Sequence, residues 1–332
     1  KTNAQRIEGI NEGIEYVQYP HSRFKNIFAL PSLIKKYSKG DDTAIVVAAP
    51  DLFLFHFLSL LCKISGYKMY GLYHEYYQST LGRSSKIKNI QARYFDSNFG
   101  YFCDGIMPIS EFLIEKCQKF HKPILKVPIV ANFDSYKDVP QIQENLNYFL
   151  YCGKTGYARV IYTLLDAFEN YHIVGGEKRL HLVLHGYPKI QKEIELYVQN
   201  SRIKDYVDFY SNLKYEDLLN QYRNAIALFI PLDKTSVQDK ARFSQKISEY
   251  LSSKRPIVTV NTGEITYYFK DGETAYVLED FTKEQLAEKI MWIDQHPEKS
   301  NEIGSNGFNL GLKEFDYINN GEKIHEFLIN FS

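Results

Sequence analysis

Tyr148-Phe-Leu-Tyr-Cys152 is an apolar run that is followed by the turn Gly153-Lys-Thr-Gly-Tyr-Ala-Arg159 and by an amphipathic helical pattern from Val160 to Tyr171. The same alternation continues to Leu278. It predicts strands at Leu182–His185, Ile226–Ile230 and Arg255–Val260 and a helix at Phe243–Leu251. Short apolar strands separated by helices indicate a parallel sheet flanked by helices. Such sheets bind ligands at the carboxyl ends of their strands, beside helix N-termini. Because cations occupy these turns, the sequence predicts a site for a phosphorylated ligand.

The composition is that of an enzyme with two domains. The chain has 332 residues, of which 44% are hydrophobic, and its net charge is +0. That length suits two domains of about 150 residues, and the balanced charge argues against a nucleic-acid binder. No apolar run reaches the ~18 residues of a membrane span. Four cysteines without CxxC spacing indicate free thiols in a reducing compartment, which predicts a cytoplasmic protein.

The N-terminal half repeats the alternating pattern. It predicts strands and helices in the order Ala44–Ala49 (ending at Pro50-Asp51), Leu52–Ser65, Lys68–Tyr73, Gly105–Ile109, Glu111–Phe120 and Lys126–Val130. Ser110 is placed to cap the helix that follows it. A polar linker, Asp134 to Asn145, separates the halves. We therefore expect an α/β fold with domains at 1–138 and 139–312. A helical segment at 313–332 would return to the first domain, and a first strand is expected to be missing because the chain opens without one.

Lys154 and Arg159 are the first candidate ligand-binding residues. Both lie in a turn between a strand and a helix, after Gly153. Two cations at a helix N-terminus can hold both phosphates of a diphosphate. The alternative is that they are solvated loop charges.

The second candidate segment runs from Phe243 to Glu249. Ser244 can cap the helix, whose first N–H groups can bind an anion. Lys246 lies in the first turn, where the helix dipole disfavours a cation that has no anionic partner. Glu249 is one turn further, within reach of hydroxyl groups on the same ligand, unless it is an ordinary exposed carboxylate.

Other strand ends supply further candidates. His74 and Glu75 follow a predicted strand, so His74 is either a reacting group or a structural histidine. His185-Gly186 ends another strand, and Gly186 suggests a close approach of the backbone to a ligand. The loop from Tyr210 to Lys214, which includes Leu213, could clamp a base.

Several common patterns are missing, including Asp-x-Asp, GxxxxGK[ST], GxGxxG and HExxH. We therefore expect no metal ion and no cofactor. The run from Arg83 to Arg93 has four cations and no acid. It is either a solvated helix face or a surface for an anionic lipid or a diphosphate-linked acceptor. Residues 1–140 contain 18 Lys and Arg against 13 Asp and Glu, which also makes this half positive.

These residues resemble the donor domain of family 4 glycosyltransferases, which have the GT-B fold of two Rossmann-like domains facing across a cleft. The family pattern is a strand, Gly-Arg, a Lys six residues after the Gly, and a helix ending in Glu-Ala-Phe. This sequence has Gly153-Lys154, Arg159 and Asp166-Ala167-Phe168 in that frame. The family's later pair of glutamates, eight residues apart, falls on Ala241 and Glu249, so the first glutamate is absent. Asp239 could substitute for it if the loop shifted.

The resemblance implies a metal-independent transfer of sugar from a nucleotide-diphosphate donor, with a UDP-sugar the expected one. The acceptor would be a saccharide or a lipid-linked glycan, in cell-surface polysaccharide or glycoconjugate synthesis. Lys154, Arg159, Lys246 and the helix N-terminus at Phe243–Ser244 would stabilise the leaving diphosphate. Glu249 would bind the ribose, and His74 would contact the sugar or the acceptor. Peripheral binding to an anionic membrane is a further hypothesis.

Two other functions remain open at this point. A sugar-nucleotide 2-epimerase of the same fold would use the same phosphate site, and it would convert the donor without an acceptor. An inactive nucleotide-sugar-binding partner subunit would bind the donor without transferring or hydrolysing the sugar. Ala241 is the residue that favours the inactive protein.

Overall fold

The protein has an α/β fold built on two parallel sheets. The structure is a computed structural model, and it describes residues 7–11, 14–18, 29–38, 44–48, 52–80, 85–141 and 146–330. The predicted strand end at Pro50-Asp51, Arg83 and Ser84 of the cationic run, and residues 142–145 of the predicted linker lie outside these residues.

The N-terminal unit contains a three-stranded parallel sheet in the order β3-β4-β5. A hairpin of two strands precedes it near the start of the chain, where the sequence predicted no opening strand. The elements of this unit are β1 (Ile7–Asn11), β2 (Ile14–Gln18), α1 (Leu30–Tyr37), β3 (Ala44–Val47), α2 (Leu52–Ser65), β4 (Lys68–Tyr73), α3 (Lys86–Asn98), β5 (Gly105–Pro108) and α4 (Glu111–Cys117). Ser110 caps α4, accepting a hydrogen bond from the backbone N–H of Leu113, as predicted.

The C-terminal unit contains a six-stranded sheet in the order β11-β10-β9-β6-β7-β8, with every neighbouring pair parallel. Apolar residues of β6 to β11 form cores against helices on both faces of the sheet. Its elements are β6 (Tyr148–Lys154), α5 (Ala158–Ile173), β7 (Arg179–His185), α6 (Pro188–Gln199), β8 (Val207–Tyr210), α7 (Tyr215–Arg223), β9 (Leu228–Phe229), α8 (Val237–Ala241), α9 (Gln245–Ser252), β10 (Ile257–Val260), α10 (Ile265–Tyr268), β11 (Tyr276–Leu278) and α11 (Lys283–Gln295).

The predicted strand at Lys126–Val130 is wrong. The segment runs beside β5 and bonds to it, with Leu125 N donating to Ile106 O at 3.1 Å and Val127 N donating to Pro108 O at 2.9 Å. Pro123 has no N–H to extend this ladder toward its start, and Pro128 has no N–H on the opposite edge of the segment, which faces away from β5. The chain is therefore extended there without being a regular strand.

The predicted helical segment at 313–332 contains the end of one helix, α12 (Pro297–Phe315), and a second helix, α13 (Tyr317–Asn330); residues 331 and 332 lie outside the described part of the chain. They separate at Asp316, whose carboxylate accepts hydrogen bonds from the backbone N–H groups of Ile318 and Asn319. Helix α13 packs on the N-terminal unit, with the rings of Phe327 and Tyr70 5.7 Å apart. The C-terminal helix thus returns to the first half, and the exact domain limits of 1–138 and 139–312 stay a prediction.

Candidate functional site

A cavity of about 500 Å³ opens between the two units, at the carboxyl ends of β4, β6 and β9. Its position follows from the fold, because parallel strands of both sheets end there. The N-terminal unit contributes His74, Glu75, Ile109 and Ile129, and the C-terminal unit contributes residues 151–154, Tyr157, Val160, 229–232, Asp239 and 242–246. The cavity therefore contains six of the ten predicted site residues: His74, Gly153, Lys154, Phe243, Ser244 and Lys246.

The end of β6 brings Lys154 to the cavity, whereas Arg159 lies in the first turn of α5 and outside the cavity lining, not in the predicted turn. Lys154 is the last residue of β6, and its side chain is exposed. The Arg159 guanidinium is 82% exposed and lies 2.5 Å from the carboxylate of Asp233. A role for Arg159 in holding a diphosphate therefore stays a prediction, and it requires this ion pair to open.

The N-terminus of α9 forms a second wall of the cavity. Ser244 occupies the N-cap position, but its side chain makes no capping hydrogen bond, contrary to the prediction. The N–H groups of the first turn of a helix have no partner within the helix, so those of Gln245 and Lys246 are available to a bound anion. Phe243 is buried and stacks on Tyr268, with ring centroids 5.6 Å apart, so it anchors the loop before the helix.

Positive charge concentrates at this edge of the sheet. Lys154 pairs with His185 across β6 and β7. Burial lowers the pKa of His185, and the positive charges of Lys246 and Lys154 lower it further. Lys154 and Lys246 also line the same cavity, so the end of β6 and the first turn of α9 together form a cationic site.

The remaining predicted donor residues lie outside the cavity lining. Glu249 follows Lys246 by one turn; burial raises the pKa of its carboxyl group, and Lys246 opposes that rise. Gly186 has φ of +122°, and a Cβ there would come within 2.9 Å of the Thr155 hydroxyl oxygen, so glycine is required at this turn. Leu213 is partly buried against the core of the C-terminal unit. Their contacts with a donor stay predictions.

His74 faces the cationic site from the N-terminal unit. It follows β4 directly and lines the cavity. Its Nδ1 atom is buried and has no hydrogen-bond partner among the described residues. Since a buried polar atom without a partner costs free energy, this ring nitrogen is available to a ligand.

Sequence reasoning missed Arg242, which lines the cavity beside Asp239. One guanidinium nitrogen lies 2.7 Å from the Asp239 carboxylate, and another donates to the Tyr157 hydroxyl at 2.8 Å. The second carboxylate oxygen of Asp239 accepts the backbone N–H of Asp233 at 3.0 Å. The signal that could have found Arg242 is its position between Ala241, which aligns with the family's first glutamate, and Phe243, which aligns with the phenylalanine of the family's Gly-Phe-Gly motif.

Ala241 does not face the cavity. Its side chain is 1% exposed and packs in the core of the N-terminal unit. Asp239, two residues earlier, lines the cavity instead. Among the residues that the structure describes, no three His, Cys, Asp or Glu side chains are grouped as metal ligands.

The model of the glycosyl transferases group 1 family matches residues 132–310, which is more than half of the chain. This protein is a member of that family. The match begins just before β6 and ends within α12, so it contains the whole cationic site. No curated protein matches the sequence.

Solved structures with the same fold are similar over most of the chain. A glycosyltransferase from Rickettsia africae ESF-5 has a TM-score of 0.72 and 15% identity, covering 96% of this chain and 84% of its own. HepE from Anabaena has a TM-score of 0.70 and 14% identity, covering 92% and 82%. TarM from S. aureus has a TM-score of 0.67 and 14% identity, covering 91% of this chain and 59% of its own. This chain therefore spans little more than half the length of TarM. These similarities establish the GT-B fold of two Rossmann-like domains. In the described part of the chain, no helix has both the length and the apolar character to cross a membrane.

Proposed function

We propose that this group 1 glycosyltransferase moves a sugar from a nucleoside-diphosphate donor, with UDP the expected nucleotide. One observation carries the proposal. Lys154, Lys246 and the first N–H groups of α9 meet on one side of the cavity, and His74 faces them from the other unit. Phosphates are bound by such combinations of cations and helix N-termini.

The choice of UDP is supported by the ligands of proteins with this fold. HepE from Anabaena was solved with UDP-glucose, and TarM from S. aureus was solved with UDP. The pneumococcal O-GlcNAc transferase GtfA was solved with UDP and GlcNAc.

The chemistry follows from where charge develops. Breaking the bond between sugar and diphosphate places negative charge on the leaving phosphate. Lys154 and Lys246 would stabilise this charge together with the helix N-terminus, which is the task of a metal ion in metal-dependent transferases. Glu249 would bind the ribose hydroxyls, and His74 would contact the sugar or the acceptor.

The sugar itself would meet Asp239 and Arg242. Asp239 supplies the carboxylate that the family pattern has at position 241, and its ion pair with Arg242 holds it at the cavity wall. The acceptor would be a saccharide or a lipid-linked glycan, within the synthesis of a cell-surface polysaccharide or glycoconjugate. We place the enzyme in the cytoplasm, with peripheral binding to a membrane.

The first test is a thermal-shift screen with UDP, GDP, ADP and CMP and their sugar conjugates, followed by transfer assays with the donor that stabilises most. UDP is expected to raise the unfolding temperature most, and transfer is expected to persist in EDTA. Loss of transfer in EDTA that Mg²⁺ or Mn²⁺ restores would refute metal independence. A larger increase in unfolding temperature with another nucleotide would identify that nucleotide, and not UDP, as part of the donor.

Ala241 favours one second candidate, an inactive donor-binding partner subunit. Ala241 stands where the family has its first glutamate, and because it is buried it cannot contact a sugar in the cavity. Such a protein would bind the donor but neither transfer nor hydrolyse its sugar over long incubation. Conversion of the sugar by the protein without an acceptor would instead indicate an epimerase.

A further inference from the structure

We infer that Glu264 is a positioning residue: it joins the two units through buried polar contacts and thereby holds the side of the cavity that meets the sugar. This inference rests on the proposed function, in which Asp239 and Arg242 contact the sugar. Glu264 lies directly before α10, only 1% of its side chain is exposed, and it is not among the residues that line the cavity. A buried carboxylate costs free energy unless it is paired and hydrogen-bonded, and the partners of Glu264 come from the other unit.

Both oxygens of the Glu264 carboxylate contact the N-terminal unit. One accepts the backbone N–H of Glu111 at 2.7 Å, and the other forms an ion pair with the ammonium group of Lys126 at 2.6 Å. The same ammonium group donates to the Glu111 carboxylate at 2.8 Å. Burial opposes a charge on Lys126, but its hydrogen bonds to both glutamates outweigh burial and raise its pKa. We call Lys126, Glu111 and Glu264 the inter-unit triad.

The triad also reaches the cavity wall through an aromatic ring. The Lys126 ammonium lies 4.6 Å from the centre of the Tyr268 ring, which is a cation–π contact. Tyr268 ends α10 and stacks on Phe243, which lines the cavity. A single ring therefore separates Lys126 from a residue of the cavity wall.

A backbone contact connects Glu264 to Asp239. The preceding residue, Gly263, has φ of +55°, and a Cβ there would lie 2.8 Å from the carbonyl oxygen of Asp239 and 3.1 Å from that of Lys240. The two segments therefore pack backbone against backbone. A shift of Glu264 would move Gly263 and loosen the support of Asp239, whose carboxylate lies 2.7 Å from the Arg242 guanidinium.

The N-terminal unit holds the same segment at a second point. Ser110 donates a hydrogen bond to the backbone carbonyl of Ala241, and the next residue, Glu111, binds Glu264. Residues 239–241 are thus fixed at one end by Ser110 and at the other by the glycine before Glu264.

These contacts lead to the residues that would meet the sugar. Asp239 and Arg242 depend on the triad through the backbone, whereas Lys154 ends a strand of the C-terminal sheet and Lys246 lies in a helix of the same unit. Misplacing a group in an active site by about 1 Å can cost about 100-fold in rate. We therefore expect the triad to affect turnover and to leave UDP binding intact.

The test compares the parent with Lys126→Met and with the double variant Lys126→Met, Glu264→Leu. The single substitution leaves the Glu264 carboxylate buried without its cation and should lower the free energy of unfolding. The double variant removes both charges and should regain stability, because neutral residues can replace a buried ion pair at little cost. Its kcat should nevertheless stay about 100-fold below that of the parent, with UDP affinity unchanged. Lys126→Arg keeps the cation and should keep most of the kcat.

The matched control is the exposed ion pair of Lys299 and Glu302 on α12, whose charged atoms are 2.9 Å apart. This pair lies within the C-terminal unit. Lys299→Met with Glu302→Leu makes the same chemical change and should leave both kcat and UDP affinity as in the parent.

Hydrogen exchange supplies a measurement that does not require sugar transfer. The backbone N–H groups of Lys240 and Arg242 donate to the carbonyls of Ser236 and Gln238, so they report local opening of this segment. They should exchange faster in the double variant than in the parent. Helix α11 (Lys283–Gln295) should exchange at the same rate in both proteins.

Three results would overturn the inference. The first is parental kcat in the double variant, which would show that the triad adds only stability. The second is unchanged exchange at Lys240 and Arg242, and the third is a loss of UDP affinity as large as the loss of kcat. A parent protein that transfers no sugar would instead contradict the proposed function, and the exchange rates would still test the link between the units.

Discussion

The hydroxyl of Ser110 donates a 2.6 Å hydrogen bond to the backbone carbonyl of Ala241, which joins the two units beside the cleft. The same hydroxyl oxygen accepts the Leu113 N–H and caps α4. The loop that continues into Arg242 and Phe243 is therefore positioned by the N-terminal unit. At the point where the family pattern has its first glutamate, this chain uses the backbone as a contact between units.

Restoring the family's glutamate is accordingly expected to damage the protein. Ala241→Glu would place a carboxylate in an apolar core where the side chain is 1% exposed. An unpaired buried charge costs about 3–5 kcal/mol. We expect a lower free energy of unfolding, measured in urea, and no gain in transfer rate. Lys240→Glu is the control, because residue 240 is exposed and should tolerate the change. A stable and more active Ala241→Glu enzyme would show that position 241 faces the sugar.

Arg159 and Asp233 form a pair whose role can be read from two substitutions. If Arg159 leaves Asp233 to bind the donor diphosphate, Arg159→Ala should weaken UDP binding. Asp233→Ala should strengthen it or leave it unchanged, because it frees the guanidinium. Isothermal titration of both variants with UDP distinguishes the cases. Equal UDP affinity in Arg159→Ala and the parent would show that Arg159 takes no part in donor binding.

His185 is expected to make donor binding depend on pH. Its pKa lies below the usual value of about 6.5, because partial desolvation of this exposed residue and the positive charges of Lys246 and Lys154 disfavour the protonated ring. The folded protein therefore favours the neutral His185 ring. Below pH ~6.5 the unfolded chain takes up the proton first, so the free energy of unfolding decreases as the pH falls. A bound diphosphate favours the protonated ring, so UDP binding should take up a proton in this range.

The matching measurement is the ratio of UDP affinities of the parent and His185→Gln between pH 7.5 and 5.5. Using the ratio cancels the protonation of UDP itself, whose terminal phosphate titrates near pH 6. The ratio should rise in favour of the parent as the pH falls. A ratio that does not change with pH would place His185 away from the phosphates.

Glu249 and His74 should give opposite kinetic effects. Glu249 is proposed to bind the ribose, which does not react, so Glu249→Ala should raise the donor KM and weaken UDP binding. His74 is proposed to contact the sugar or acceptor, so His74→Ala should lower kcat while UDP affinity stays close to that of the parent. Normal turnover by His74→Ala would make His74 structural. Parental UDP affinity in Glu249→Ala would show that the alignment with the family's second glutamate is wrong.

Much of the C-terminal unit was predictable from the sequence, since β6, β7, β9 and β10 are short apolar runs that have glycine or proline at or near their ends. The strand predicted from Tyr148 is β6 (Tyr148–Lys154). The helix predicted from Val160 to Tyr171 is α5, which extends from Ala158 to Ile173. The segment Lys126–Val130 was not predictable in this way. Its apolar pattern resembles a strand, but Pro123 and Pro128 lack N–H groups on the two edges of the segment, and only the position of β5 shows which bonds are made.

The site was predictable where the backbone determines it. Lys154 ends a strand and Lys246 begins a helix, so parallel topology brings both to one edge of the sheet. The position of the Arg159 guanidinium was not predictable in this way, because a long side chain can reach several partners. In the structure it pairs with Asp233. Arg242 was missed for a related reason: its contacts with Asp239 and Tyr157 depend on how a loop folds.

We expect the donor diphosphate to bind at Lys154 and Lys246, and this is tested by titrating UDP into four proteins. These are the parent, Lys154→Ala, Lys246→Ala and the control Lys189→Ala, whose lysine is exposed on α6. Each of the first two substitutions removes a charge-assisted hydrogen bond of about 1.5–3 kcal/mol, so each should weaken Kd roughly 10- to 150-fold. Lys189→Ala should bind as the parent does. Parental UDP affinity in both Lys154→Ala and Lys246→Ala would show that the diphosphate does not bind at these lysines.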